Sequence, residues 1–120
     1  MPEIVNAALA LLTIAFGLFG FLAPRYTADA LDLAPQGSTM GLSEMRASAG
    51  GLFVAVGAVC LLTGAPEAYA MLGVAYAGAG TGRLLSILRD RPPLKKALVF
   101  FLFEAGPAAW LLAMNAGPWA

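Results

Sequence analysis

An all-α fold, a four-helix integral membrane bundle, is what this sequence predicts, and three observations carry the prediction. Charge is scarce: only 12% of the 120 residues are Asp, Glu, Lys or Arg, about half of the ~25% usual in a soluble domain. Hydrophobic residues make up 60%, and mean hydropathy is +0.79. They gather in four runs, at residues 4–22, 47–62, 68–88 and 97–114. A helix needs about 20 apolar residues, within a range of roughly 17–25, to cross a bilayer. Three runs reach that length directly, and the second does so once Ser43–Arg46 are added. The expected spans are therefore 4–22, 43–62, 68–88 and 97–114. They leave almost nothing for a soluble core, so residues 1–120 read as one transmembrane domain.

The first run has the position of a signal peptide but not its anatomy. Such peptides begin with positive charge, hold a core of about 7–15 residues and end in small residues. Here Glu3 is the charged residue before the run, and Ala-Pro-Arg follows it, so it is read as a retained helix. Pro24 stops it. The segment Arg25–Leu33, RYTADALDL, is expected as a short interfacial helix or an ordinary connecting turn. Pro, Gly, Ser and Thr between Ala34 and Gly41 make a loop, and Ser43 is the expected N-cap of the second span. The turn Thr63-Gly64-Ala65-Pro66 is too short for a domain, so the second and third spans form a tight hairpin. Pro92-Pro93 breaks the chain before the fourth. The endings GAP and AGP after spans two and four are too short a likeness to carry a repeat.

Orientation follows from Lys and Arg, which concentrate on the cytoplasmic side. Arg25 lies in the first loop, and Arg89, Arg91, Lys95 and Lys96 lie in the third, RDRPPLKK; the second loop and both chain ends have none. That places loops one and three inside, with an N-out, C-out topology. Tyr26 then suits the inner interface, and Tyr69 and Trp119 the outer one. The chain has no His, and its single Cys, Cys60, sits inside the second span. No intramolecular disulfide is open to it, nor any Cys/His metal or haem site of the usual kind. Cys60 reads as a small core residue. No cofactor is expected; a bound lipid or other hydrophobic ligand is compatible with the composition.

The stretch Gly78-Ala79-Gly80-Thr81-Gly82-Arg83, GAGTGR, looks like a phosphate loop. Arg83 stands where a dinucleotide fingerprint needs its third glycine, and the Walker spacing is missing. The stretch also lies within a 21-residue apolar run, where a water-exposed loop does not belong. Gly78 and Gly82, with Ala75 and Ala79, instead form the small-xxx-small pattern that lets helix backbones approach closely. Gly17 and Gly20 in the first span, and Gly50, Gly51 and Gly57 in the second, offer matching faces.

Four charges lie within or at the edge of the spans: Glu44, Arg46, Arg83 and Glu104. At mid-membrane each costs about 2.5–3.5 kcal/mol on insertion scales, so each needs a partner or a task. Arg83 lies roughly 9 Å and Glu104 roughly 12 Å in from the cytoplasmic edge at about 1.5 Å per residue. Glu44 and Arg46 enter from the same edge, so the four share a leaflet and sum to zero charge. Residues two apart do not share a helix face, so Glu44 and Arg46 look to different neighbours. Arg46 with Glu104 and Glu44 with Arg83 is one consistent pairing, and the swap is another. Arg46 also has the length to snorkel to lipid phosphates. Tyr76 and Ser86 lie on the side of Arg83. Pro107 withholds a hydrogen bond from the Phe103 carbonyl beside Glu104, so FEAGP is a kink with an acid next to it. The cluster is either an interhelical clasp or a ligand or ion site.

SEMRASAGG, GTGRLLSILRDRPP and FEAGPAAWLL together resemble a family of small bacterial four-helix membrane proteins known as a domain of unknown function. The family is similar in layout to DoxX-like proteins. The likeness covers nearly the whole chain, and Glu44, Arg46, Gly50, Gly51, Gly82, Arg83 and Ser86 match its E-x-R-x(3)-GG and G-R-x-x-S pattern. It implies the fold, the polar cluster and a bacterial membrane, and it brings no activity. The family often has Asp-Gly after the third helix. Here Arg91 follows Asp90, so a different turn is expected.

Small loops and packing-rich helices leave lateral helix contact as the main means of action. The expected function is that of a non-catalytic inner-membrane protein, an accessory or scaffold subunit of a larger complex. Its neighbours would be membrane lipids and partner subunits or further copies of itself, with no nucleic acid. The alternative is a small transporter or channel using Glu44, Arg83 and Glu104. A membrane enzyme would have Glu104 and Tyr76 as its acid/base groups and no motif.

Overall fold

The computed structural model describes residues 2–119, and these are all-helical with no strand among them. In order come α1 (Pro2–Leu22), α2 (Pro24–Ala30), α3 (Met40–Arg46), a π turn (Ala47–Gly51), α4 (Leu52–Thr63), α5 (Pro66–Arg89), α6 (Leu94–Asn115) and a closing 3-10 turn (Gly117–Trp119). Met1 and Ala120, the ends of the expected domain, lie outside the described residues. The stretch α3, π turn and α4 is one helical path of 24 residues, Met40–Thr63. That path and α1, α5 and α6 are each long and apolar enough to cross a membrane. The chain divides into two compact units, Glu3–Thr63 and residues 64–119.

In the first unit, α1 buries Asn6, Ala10, Thr13, Gly17 and Gly20. Their steps of four and three residues are the 3.5-residue repeat of a helix–helix seam. Where these residues meet the Met40–Thr63 path, the backbones touch. A Cβ on Gly20 would fall onto the Ala49 carbonyl, one on Gly50 would stand 2.6 Å from the Phe21 nitrogen, and one on Gly57 2.6 Å from Ile14 Cγ1. A Cβ on Gly17 would stand 2.8 Å from that of Phe53, whereas one on Gly51 would have ordinary contact with Phe21 at 3.8 Å. In lipid, apolar side chains gain little by leaving their surroundings, so close approach and dispersion hold such a crossing together. Cys60 is 1% exposed in the same unit.

The ends of these helices follow from single residues. Pro24 has no N–H to give to the Gly20 carbonyl, so α1 stops and α2 starts with proline in its first turn. Pro24–Ala30 is thus helical. It closes with the Leu33 N–H donating to the Ala28 carbonyl at 2.8 Å and the Asp32 N–H to Asp29 at 3.1 Å. With Asp32 at φ 60°, that is a Schellman ending. The next helix begins at Met40, earlier than the expected Ser43. Ser38 Oγ accepts the Met40 N–H at 3.2 Å and Thr39 occupies the N-cap without a side-chain bond, so Ser43 lies inside the helix. In the π turn the Leu52 N–H reaches the carbonyl of Ala47, five residues back. Ala-Ser-Ala-Gly-Gly has little side-chain bulk to resist that wider turn.

The second unit is a hairpin of α5 and α6. Gly64, at φ 61°, supplies a left-handed turn that other residues adopt at a cost, and Pro66 starts α5. Tyr69, Gly73, Tyr76 and Gly80 are buried on α5, and Ala97, Ala108, Leu111 and Asn115 on α6. Both sets follow the 3.5-residue spacing. Gly73 gives the closest approach, since a Cβ there would lie 3.0 Å from the Leu111 Cβ. Lys95 and Lys96, expected in the loop, belong to the first turn of α6.

Gly78 and Gly82 are placed differently from the expectation. A Cβ on either meets nothing within 4 Å among the described residues, and both are exposed, as are Ala75 and Ala79. They stand two residues to either side of Gly80, roughly 200° around a helix that turns about 100° per residue. Gly73 and Gly80 are the glycines that face α6. The turn after α5 also departs from the expectation: Arg91 has φ 52°, the left-handed conformation a glycine would supply there.

Candidate functional site

The polar centre of the hairpin is built on the α5–α6 seam. Arg83 follows Gly80 by three residues and so continues its stripe. Opposite, Glu104 lies between Phe101 and Ala108 on the corresponding stripe of α6. Gly80 faces this point, and a Cβ there would make ordinary contact with that of Glu104 at 3.7 Å. Across the seam Arg83 Nε donates to Glu104 Oε1 at 3.1 Å, and Nη2 donates to Oε2 at 2.8 Å. Two parallel bonds from the planar fork fix orientation as well as distance. The same guanidinium lies over the ring of Phe100, its Cζ 5.2 Å from the centroid, within cation–π range. Phe100 precedes Glu104 by four residues, so acid and ring share one helix face. The pair is net neutral, and 32% of the Arg83 side chain and 15% of the Glu104 side chain stay accessible.

The other two expected charges are engaged elsewhere. Arg46 Nη1 donates to the Phe21 carbonyl at 2.6 Å. That oxygen is in the last turn of α1, where helix ends leave carbonyls without main-chain donors, and a cation is favoured there by the helix dipole. Glu44 Oε2 accepts the Ser48 hydroxyl at 2.6 Å, one turn along. The pairing of Arg46 with Glu104 and Glu44 with Arg83 is therefore corrected, and of the swap one half is formed: Arg83 takes Glu104, whereas Arg46 caps α1 and Glu44 holds Ser48. Glu44 and Arg46 do look to different neighbours, as residues two apart must.

Of the supporting residues, Tyr76 and Pro107 are buried and Ser86 is half-buried. The guanidinium gives its bonds to Glu104 rather than to either hydroxyl. A small cleft of about 200 Å³ between α2 and α3 is lined by Ala28, Leu33, Pro35, Leu42 and Met45, with Glu44 at its wall. It is apolar and large enough for a few methylenes. Among the described residues no three His, Cys, Asp or Glu side chains are grouped to hold a metal.

Phe100 is the participant that residue types alone did not disclose. Its signal is spacing, four residues before a membrane-embedded acid. The seam glycines Gly73 and Gly80 were likewise open to detection through their seven-residue separation.

Four helices of membrane-crossing length, one pair of them pinned by an ion pair within the spans, define a multi-pass helical membrane protein. Its family is narrower. Domain of unknown function (DUF4345) matches residues 2–114, and the chain belongs to that family. No curated protein and no solved structure matches it.

Proposed function

We propose that this chain is a non-catalytic four-helix bundle of the bacterial inner membrane, lying N-out and C-out. It would serve as an accessory or scaffold subunit of a larger membrane protein complex. One observation carries the reading: Ala75, Gly78, Ala79 and Gly82 form an exposed small-residue face on α5, pointing away from the seam that α6 occupies. Such a face suits a transmembrane helix of another subunit, because it lets the two backbones meet. The Arg83–Glu104 pair supports the reading, since it neutralises both charges inside the hairpin.

The test is co-purification after gentle detergent extraction, with mass spectrometry of the chains retained. Partner chains should be present with the unaltered protein. They should be lost with Gly78→Leu and Gly82→Leu, while each variant keeps its own melting temperature. A chain that purifies only with itself, and passes solute in liposomes, would overturn this in favour of a transporter or channel. That second reading draws on the accessible third of the Arg83 side chain, with Glu104 as the acid beside it.

A further inference from the structure

The α5–α6 hairpin is strongly asymmetric in charge. At the α5–α6 turn, eight residues hold Arg89, Arg91, Lys95 and Lys96 against the single acid Asp90. At the other end of α5, the first turn holds Glu67 and the preceding loop has no cation. The folded turn is compact: α5 ends at Arg89, Asp90 caps it with its N–H on the Ser86 carbonyl at 2.7 Å, and α6 starts at Leu94. Four cations are thereby gathered from two helix ends and the residues between them. Arg89, Arg91 and Lys95 are exposed. Leu88 and Leu94 flank the turn, 70% and 59% exposed, so apolar side chains border the cations on the spanning side. The first turn of α6 contains no acid and no side-chain cap, which keeps its potential positive.

We infer that this turn binds the phosphate groups of anionic phospholipid headgroups. The inference rests on the membrane-spanning helices and is independent of the subunit role proposed above. Cations held at the rim of two spans, with leucines directly beneath, match the order of phosphate and acyl chain in a lipid. Basic residues beside a span favour an anionic surface by roughly fivefold for each cation. Arg91 is central because it occupies a left-handed position, φ 52°, where glycine would be the less strained choice. A cation thus stands where the backbone favours glycine.

Native mass spectrometry of the detergent-solubilised chain, titrated with phosphatidylglycerol and separately with phosphatidylcholine, tests this. The unaltered protein should retain phosphatidylglycerol preferentially. The preference should vanish in about 1 M salt, where the screening length falls to ~3 Å. Arg91→Gly combined with Lys95→Gln should weaken it about tenfold or more, and by more than Arg25→Gln, which removes one cation in the other unit. Equal retention of the two lipids, or a preference that survives in the double variant, would overturn the inference. So would displacement by millimolar-range glycerol phosphate, which would mark a soluble phosphate site. The salt titration uses the unaltered chain and so stands even if the double variant folds poorly. The subunit proposal is read separately, from co-purifying chains.

Discussion

Arg83 and Glu104 are joined by two near-parallel hydrogen bonds, 3.1 and 2.8 Å long, from one helix of a hairpin to the other. The pair lies between the exposed and buried extremes, with 32% and 15% of the two side chains accessible. Within the spans the accessible part meets lipid rather than water, so its disruption should cost nearer the ~3–5 kcal/mol of buried pairs than the ~1 kcal/mol of solvent-exposed ones.

Arg83→Leu alone leaves the Glu104 carboxylate without its counter-charge and should lower the melting temperature of the detergent-solubilised chain. Glu104→Gln added to it should restore much of the loss, because no charge is then stranded. Glu44→Gln added to Arg83→Leu should bring no rescue, since Glu44 bonds Ser48. Rescue by Glu44→Gln, or additive losses with Glu104→Gln, would sink the clasp.

The glycines divide into two groups with opposite expected responses. Gly20→Ala and Gly50→Ala force a methyl into backbone atoms across the α1 crossing, so the helices must separate and stability should fall clearly. Gly78→Ala and Gly82→Ala meet open space and gain helix propensity, about 0.8–1.0 kcal/mol each in a water-exposed helix. They should leave the isolated chain as stable as before or more so. Thermal melts of all four variants in one detergent would show the division or its absence.

Arg91→Gly should stabilise the hairpin by about 1 kcal/mol, the cost of a left-handed non-glycine residue. Arg91→Ala should not, since alanine meets the same steric penalty. Matching melting curves for the two substitutions would count against the strained turn.

Topology is checked with a reporter active only in the cytoplasm. Inserted near Pro93 it should give signal, and at the C-terminus none. The reverse would mean that the distribution of Lys and Arg misdirects the orientation.

The spans were legible because each is a long apolar run, a property of local composition. Chain breaks at Pro24 and Pro92-Pro93 were legible for the same reason, since proline acts where it stands. Partner choice was not. Glu44 and Arg83 have suitable charges, but which acid meets Arg83 depends on helix rotation, which periodicity of charge cannot supply when only four charges lie within the expected spans. The periodicity of small and buried residues does supply it. Gly73, Gly80 and Arg83 fall on one stripe, whereas Gly78 and Gly82, equally glycine, fall on another. The start at Met40 was missed because Ser38 and Ser43 are equivalent as residue types, and only the fold selects between them. The left-handed Arg91 was missed because the sequence there offers no glycine to announce it.

The π turn at Ala47–Gly51 has a consequence for insertions and deletions. Closing a turn with a bond five residues back accommodates one residue more than a plain α-helix, and one residue corresponds to roughly 100° of rotation. The extra residue is absorbed within the turn, so Glu44 and Arg46 stand relative to Gly57 and Cys60 as they would in a uniform helix one residue shorter. Deleting Ala49 would let a uniform α-helix form with both halves in their present phase, so Arg46 would still face the Phe21 carbonyl. The end of α1 would keep its cap although the chain is one residue shorter. At this point the chain is more sensitive to bulk than to length: a methyl on Gly50 meets the Phe21 backbone, whereas loss of one residue can be taken up by the wide turn.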